Sequence, residues 1–262
     1  ENDAPWGRLK DRVIPLWKDF GAKSYAKVEL RKGESVDTLI AKLPYNAQIM
    51  PGIELSAPAG CRIGIFSDNY YGGGEPNVRA EYITKDGSQK YESKGWINGE
   101  RILYFFPKEV KVNAVTFRET GYDTEMSGKF ECDDDFFNRL WNKAARTLFI
   151  TMRDTYMDCP DRERAQWWGD EVNESGEAFY ALTPSSHALM KKGMYELIGW
   201  QRPDGSIFAP VPAGNWDSEL PGQMLASIGY YGFWNYYLNT GDLATIADLY
   251  PCLLYTSPSP RD

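Results

Sequence analysis

"ECDDDFFNRLWNKAARTLFITMRD", residues 131–154, is where the chain changes its period. Ahead of it, apolar and polar residues alternate; inside it, Phe137, Leu140, Trp141, Ala144, Leu148 and Met152 recur at the spacing of one helical face. The aspartates at 133–135 stand where carboxylates can accept from the free N–H groups of a first helical turn. The spacing predicts a helix starting just after them and a domain boundary near Cys132.

Working towards the N-terminus, "GIELSAP", "CRIGIFSD", "VRAEYITK", "QKYESKGW", "RILYFFP" and "VKVNAVTFRE" are rich in β-branched and aromatic residues. They are separated by "KDGS", "INGE" and "FPKE" turns. Closely spaced strands of this kind predict an antiparallel β-sandwich over 25–131, with 1–24 as a linker or a remnant of a preceding region. "DNYYGGGEPN", residues 68–77, lacks the order of a phosphate-binding glycine fingerprint and reads first as a long turn, second as part of a binding rim.

Towards the C-terminus the helical period returns. In "SSHALMKKGMYELIGW" Leu189, Met190, Gly193, Met194 and Leu197 line up, and the pattern recurs in "QMLASIGYYGFWNYYLNTGD". No strand lies between, which implies helices packed on helices. The aromatic run 229–237 reads as core, and "WQRPDGSIFAPVPAG" as a stiff connection with a Pro-Asp-Gly turn. "CLLYTSPSPRD", 252–262, resembles a translated sequencing adapter, although its composition also fits a Ser/Pro-rich linker. It is set aside as a non-native tail, leaving a helical domain over 132–251 that is expected to be incomplete.

Composition narrows the function classes. A net charge of −8 and the absence of a basic stripe argue against a nucleic-acid partner, which needs clustered Lys and Arg. No apolar run is long enough to span a bilayer. Outside the tail, Cys61, Cys132 and Cys159 have no metal-ligand spacing, and the single histidine, His187, reads as a helix-start surface residue. Neither a metal nor a cofactor is expected, and acid-base chemistry falls to carboxylates.

The densest set of these is "DCPDRERAQWWGD", 158–170. Pro160 disfavours helix here, so the segment is expected to be a loop between helices. Asp170 is placed to cap the next helix, and Glu171 and Glu174 to face its positive end. Asp158, Asp161, Glu163 and Asp170 are candidate acids, with Arg162 and Arg164 as partners. One reading is an ion-pair network stitching a loop to helix ends. The other is a carbohydrate site, because sugar C–H faces pack on flat rings such as Trp167 and Trp168 while hydroxyls seek charged acceptors.

The segment resembles the signature of the family 78 glycoside hydrolases, bacterial α-L-rhamnosidases: Asp-Cys-Pro, Arg-Glu, a Trp and a closing Gly-Asp. "FRETGYDTEMSGKFECDDDFFNRLW" is similar to that family's junction between sandwich and barrel, and "YLNTGD" with "LYP" to its helix-end motif. The resemblance implies an antiparallel β-sandwich followed by the first helices of an (α/α)6 six-hairpin barrel, in an exo-acting enzyme removing terminal α-L-rhamnose. It implies Glu163 as general acid and Asp158 and Asp170 as holders of the sugar hydroxyls. Arg162 would lie beside them, Trp167 or Trp168 would form an apolar wall, and "GNWDSELP", with Trp216, Asp217 and Glu219, would form a second site loop. Inversion, the family's stereochemistry, also needs a base; the family's is a later glutamate, beyond the end of this sequence. A rhamnose-containing glycan is the implied partner and a periplasmic or extracellular location the implied setting; oligomeric state is not legible. Another (α/α)6 glycosidase, acting on fucose or an unsaturated uronic acid, and a non-catalytic carbohydrate-binding protein stay open. An incomplete barrel is expected to expose Leu140, Trp141, Met194, Phe233 and Trp234.

Overall fold

The computed structural model describes residues 11–69, 71–72, 75–76, 79–212 and 227–254. It divides into two compact units, one of strands (Trp17–Gly121 with Pro160–Arg162) and one of helices (Glu1–Leu16, Tyr122–Cys159 and Glu163–Asp262).

In the strand unit every pairing is antiparallel. β1 (Lys18–Lys23), β11 (Lys111–Gly121), β4 (Ile49–Ala57) and β9 (Gly87–Glu92) form one sheet in that order. β2 (Lys27–Arg31), β3 (Val36–Lys42), β10 (Arg101–Pro107), β5 (Arg62–Ser67) and β8 (Arg79–Ile83) form the other. β6 (Tyr71–Gly72) and β7 (Glu75–Pro76) make a small hairpin inside the glycine-rich loop.

Alternation drives the packing. On β10, Ile102, Tyr104 and Phe106 are buried and cluster with Ile63 and Ile65 of β5, Ile53 and Leu55 of β4, and Phe117 of β11. Each such side chain contributes about 1.5–3 kcal/mol when fully buried. The Tyr104 hydroxyl meets that of Tyr25 at 2.7 Å and donates to Gly52 O at 3.2 Å, so the phenol does not enter the core unpaired. β1 lies ahead of the expected sandwich span and interrupts its own ladder at Gly21, whose φ of 83° no side chain adopts easily.

The first helix starts just behind the aspartates at 133–134. Asp134 caps α1 (Asp135–Ile150), its carboxylate accepting from Phe136 N at 2.9 Å. α2 (Trp168–Ala181) packs against α3 (His187–Gly199), whose Leu189, Met190, Gly193, Met194 and Leu197 are all buried. His187 opens α3 with its ring edge-on to Phe179 at 5.0 Å. A π-helical stretch, Ser227–Trp234, runs into α4 (Asn235–Thr240), followed by α5 (Leu243–Leu254). The connection after α3 turns at Gly205, φ 86°, then buries Ile207, Phe208, Ala209 and Val211 in the helical core.

The expected exposed face is only partly present. Leu140 and Trp234 are nearly half exposed and Trp141 stacks on Phe130, but Met194 and Phe233 are buried. Met194 lies on the buried face of α3, and Phe233 packs on Trp168 at 5.5 Å.

The "NTGD" segment joins α4 to α5 by local chemistry. Gly241 takes the left-handed conformation at φ 68° and its N–H closes on Tyr237 O at 2.8 Å. Asp242 accepts from Thr245 N (3.1 Å), Thr245 Oγ1 (2.6 Å), Lys191 Nζ (3.0 Å) and the Tyr236 hydroxyl (2.9 Å). These donors, Thr245 foremost, hold its carboxyl far below the usual range. Asp242→Ala should destabilise the helical unit by about 0.5–2 kcal/mol at pH 7 in urea unfolding. A depressed carboxyl contributes above its unfolded value of about 3.9 and loses that contribution as pH falls towards its folded value, so the gap between the two proteins should close below about pH 4.

Candidate active site

The site is built on the connection from α1 to α2. Thr151 ends α1, and Met152 and Tyr156 bridge across a tight turn. Asp158 then closes the next loop on itself: its N–H donates to Ala165 O at 2.9 Å and its Oδ1 accepts from Ala165 N at 3.0 Å. Within this loop Glu163 N–H reaches Cys159 Sγ at 3.4 Å, and Arg164 is held at φ 53°, a conformation non-glycine residues adopt at a cost. The outcome is a fixed Glu163. Trp167, the residue just before α2, donates its indole N–H to Glu163 Oε2 at 2.8 Å.

The charge of Glu163 acts on both Asp158 and Asp170. Partial burial raises the Asp158 carboxyl, against the pull of the Ala165 and Cys159 hydrogen bonds, and the charge of Glu163 adds to the rise. Asp170 is raised by burial and then by Asp158 and Glu163. Such a cluster favours ligands that offer hydroxyl donors, which satisfy carboxylates without adding negative charge. Among the described residues no group of His, Cys, Asp or Glu is arranged to hold a metal ion.

The two adjacent tryptophans separate cleanly. Trp168 is 1 % exposed in the helical core against Phe233, whereas half-buried Trp167 is the ring at the carboxylates. Trp168 is therefore a core residue and not a wall of the site. Asp170 sits inside the first turn of α2 and is not its cap, because the helix already starts at Trp168. Arg162 is exposed and groups with the strand unit, where its neighbour Asp161 accepts from the Asn69 amide at 3.1 Å. Trp216, Asp217 and Glu219 lie outside the described residues.

Two further carboxylates, read from the sequence as partners of the helix dipole, are instead withdrawn from solvent, Glu171 wholly and Glu174 in part. Glu171 is 0 % exposed, and neither of its carboxyl oxygens has a hydrogen-bond partner among the described residues. Gly193 makes room for it: a Cβ there would lie 1.7 Å from Glu171 Oε1. Burial, with Glu196 and Glu174 nearby, pushes Glu171 well above the carboxylate range. Glu174 is pushed up to about 9, first by burial and then by Asp170, Glu177 and Asp158, against a hydrogen bond from Thr151. Their i, i+3 spacing on an otherwise polar stretch was the available signal, but it reads equally well as a solvated face.

The sequence profile of the bacterial alpha-L-rhamnosidase 6 hairpin glycosidase domain matches residues 125–257. The chain belongs to this family. An alpha-L-rhamnosidase of Formosa agariphila is 26% identical over 254 residues, covering 89% of this chain and 25% of the relative. The rhamnosidase of Dictyoglomus thermophilum superposes with a TM-score of 0.78 at 18% identity, covering 95% of this chain and 29% of that one. The family 78 rhamnosidase of Bacillus sp. GL1 gives 0.75 at 23%, covering 87% and 24%. A Klebsiella oxytoca rhamnosidase with rhamnose bound gives 0.74 at 15%, covering 93% and 56%. The chain thus spans about a quarter of the length of the curated relative, and these likenesses carry the family's fold, strands followed by the helices of the six-hairpin domain.

The two tryptophans give opposite expectations. Trp168→Ala should cost about 3–5 kcal/mol of unfolding free energy, the range for emptying an aromatic core position. Trp167→Phe keeps an apolar ring but removes the donor to Glu163, and should leave the urea midpoint close to that of the unaltered chain. Equal midpoints for Trp168→Ala and the unaltered chain would contradict the core assignment.

Proposed function

We propose that this chain is the acid-bearing part of an exo-acting glycoside hydrolase that removes terminal α-L-rhamnose from a glycan or glycoside. The observation that carries the reading is the indole hydrogen bond from Trp167 to Glu163 beside Asp158 and Asp170. A proton donor has to be held still against the glycosidic oxygen, and the loop clamp at Asp158 with the Trp167 N–H does this for Glu163.

In this account the sugar hydroxyls donate to Asp158 and Asp170, and the Trp167 ring covers an apolar face of the sugar. Arg162, Trp216, Asp217 and Glu219 are assigned to the wider substrate-binding set by the family resemblance. Glu163 gives its proton to the leaving oxygen as the bond from the anomeric carbon breaks. Water enters from the opposite face and loses a proton to a second carboxylate, which inverts the centre. That base is assigned to a carboxylate other than Asp158, Glu163 and Asp170, which in this reading are already the proton donor and the holders of the hydroxyls. The expected setting, periplasmic or extracellular, follows from the same family reading. Removal of fucose or an unsaturated uronic acid would use the same acid with different hydroxyl partners. A non-catalytic sugar-binding role would leave Glu163 without a protonation step.

Kinetics on the complete enzyme that carries this segment separate these readings. Glu163→Gln should lower kcat about a hundred- to ten-thousand-fold on rhamnosides with poor leaving groups, and much less on aryl rhamnosides whose leaving group is already acidic. Equal losses on both would remove Glu163 from the acid role.

A further inference from the structure

We propose that Gln166 is a positioning residue for the acid: its buried amide clasps the loop that carries Glu163 to α3 and to the connection after α3, and so sets where the Trp167 indole meets the Glu163 carboxylate. The inference rests on the reading of Glu163 as proton donor to a glycosidic oxygen.

Gln166 is 3 % exposed, between the half-buried Ala165 and Trp167. Its Nε2 donates to Val211 O at 2.9 Å and to Glu196 Oε2 at 3.1 Å, and its backbone O accepts from Val211 N at 3.3 Å. Two acceptors facing one end of the amide settle that this end is the nitrogen. Val211 is itself buried in the helical core. The other oxygen of Glu196 accepts from Lys192 Nζ at 2.5 Å, one turn earlier on α3. Both anchors are thus held by contacts of their own.

Three consecutive residues are pinned by different partners. Ala165 is paired with Asp158, Gln166 with Val211 and Glu196, and the Trp167 carbonyl with Glu171 N at 2.9 Å in the first turn of α2. The Asp158–Ala165 pair closes the loop on itself, and the Gln166 amide ties the closed loop to α3 and to the buried connection. Glu163 and Trp167 stand on either side of that tie, joined by the indole N–H at 2.8 Å. The chemistry of the clasp asks for an amide. A carboxylate of the same shape would meet the Glu196 carboxylate and the Val211 carbonyl without a donor, and an apolar side chain would take the donor from both. A loop able to shift by about 1 Å would misplace the proton donor and cost about a hundredfold in rate.

The test uses Gln166→Met, which keeps the length and removes the amide, and Gln166→Glu, which keeps the shape and replaces donors with acceptors. In the full chain, NMR of the indole N–H groups follows Trp167, its resonance assigned by its loss in Trp167→Phe. Both variants should shift that resonance and speed its exchange with solvent, while the Trp168 resonance stays in place and reports an intact helical core. Gln166→Asn, whose amide falls one carbon short of its anchors, serves where either variant disturbs Trp168. In the complete enzyme that carries this segment, the same variants should lower kcat about a hundredfold on rhamnosides with poor leaving groups, and much less on those whose leaving group is already acidic, with KM little changed. A merely structural Gln166 would lower the folded fraction, and kcat would fall equally on both substrates. An unmoved Trp167 resonance would overturn the proposal, as would equal losses on both substrates in an enzyme where Glu163→Gln tells them apart. The resonances need no substrate: if they shift as expected while Glu163→Gln affects both substrates alike, the acid reading fails and the clasp stands.

Discussion

The paired hydrogen bonds between Asp158 and Ala165 are the constraint on which the site depends. One residue supplies both a backbone donor and a side-chain acceptor to the same partner, at 2.9 and 3.0 Å, and the chain between them becomes a closed loop. Closure brings the Glu163 N–H to Cys159 and obliges Arg164 to take a positive φ. With the loop shut, Trp167 enters α2 at a position from which its indole meets the Glu163 carboxylate. Asp158 thus does structural work that any account of it as a sugar ligand must include.

The charge around this loop is costly to assemble. Glu171 and Glu174 bind protons in the folded chain that the unfolded chain has released, so folding stability falls as pH rises from about 4.3 towards the raised values of these groups. Arg153, buried beside the same loop and pushed down to about 10 by its burial, is a desolvated cation in the same unit. A fold selected only for stability would replace such groups with apolar ones. Their presence on the helix that carries Asp170 fits a unit in which stability has been given up for a working arrangement of acids.

What was legible in the sequence was local. Asp134 capping α1 needs only its own helix, and the buried faces of β10 and α3 follow from alternation and from helical spacing along single segments. β2 carries no such signal because all of it is exposed, and β1 is broken by Gly21. The acid cluster was visible as a motif, yet Trp167 and Trp168 could not be told apart: a single residue separates the position before a helix from one in its first turn facing the core. The same register shift moved Asp170 from cap to first turn. Burial of Glu171 depends on α3 supplying a glycine at 193, and Glu174 meets the Thr151 hydroxyl at the end of α1, neither of which the acidic stretch itself records.

The central claim is that Asp158, Glu163, Trp167 and Asp170 form one sugar subsite. A crystal structure of the protein with L-rhamnose bound tests it most directly. The account predicts sugar hydroxyls on the Asp158 and Asp170 carboxylates, the Trp167 ring against the sugar, and Glu163 within hydrogen-bond reach of the anomeric oxygen. A sugar seated elsewhere, with this cluster still closed on itself, would contradict it.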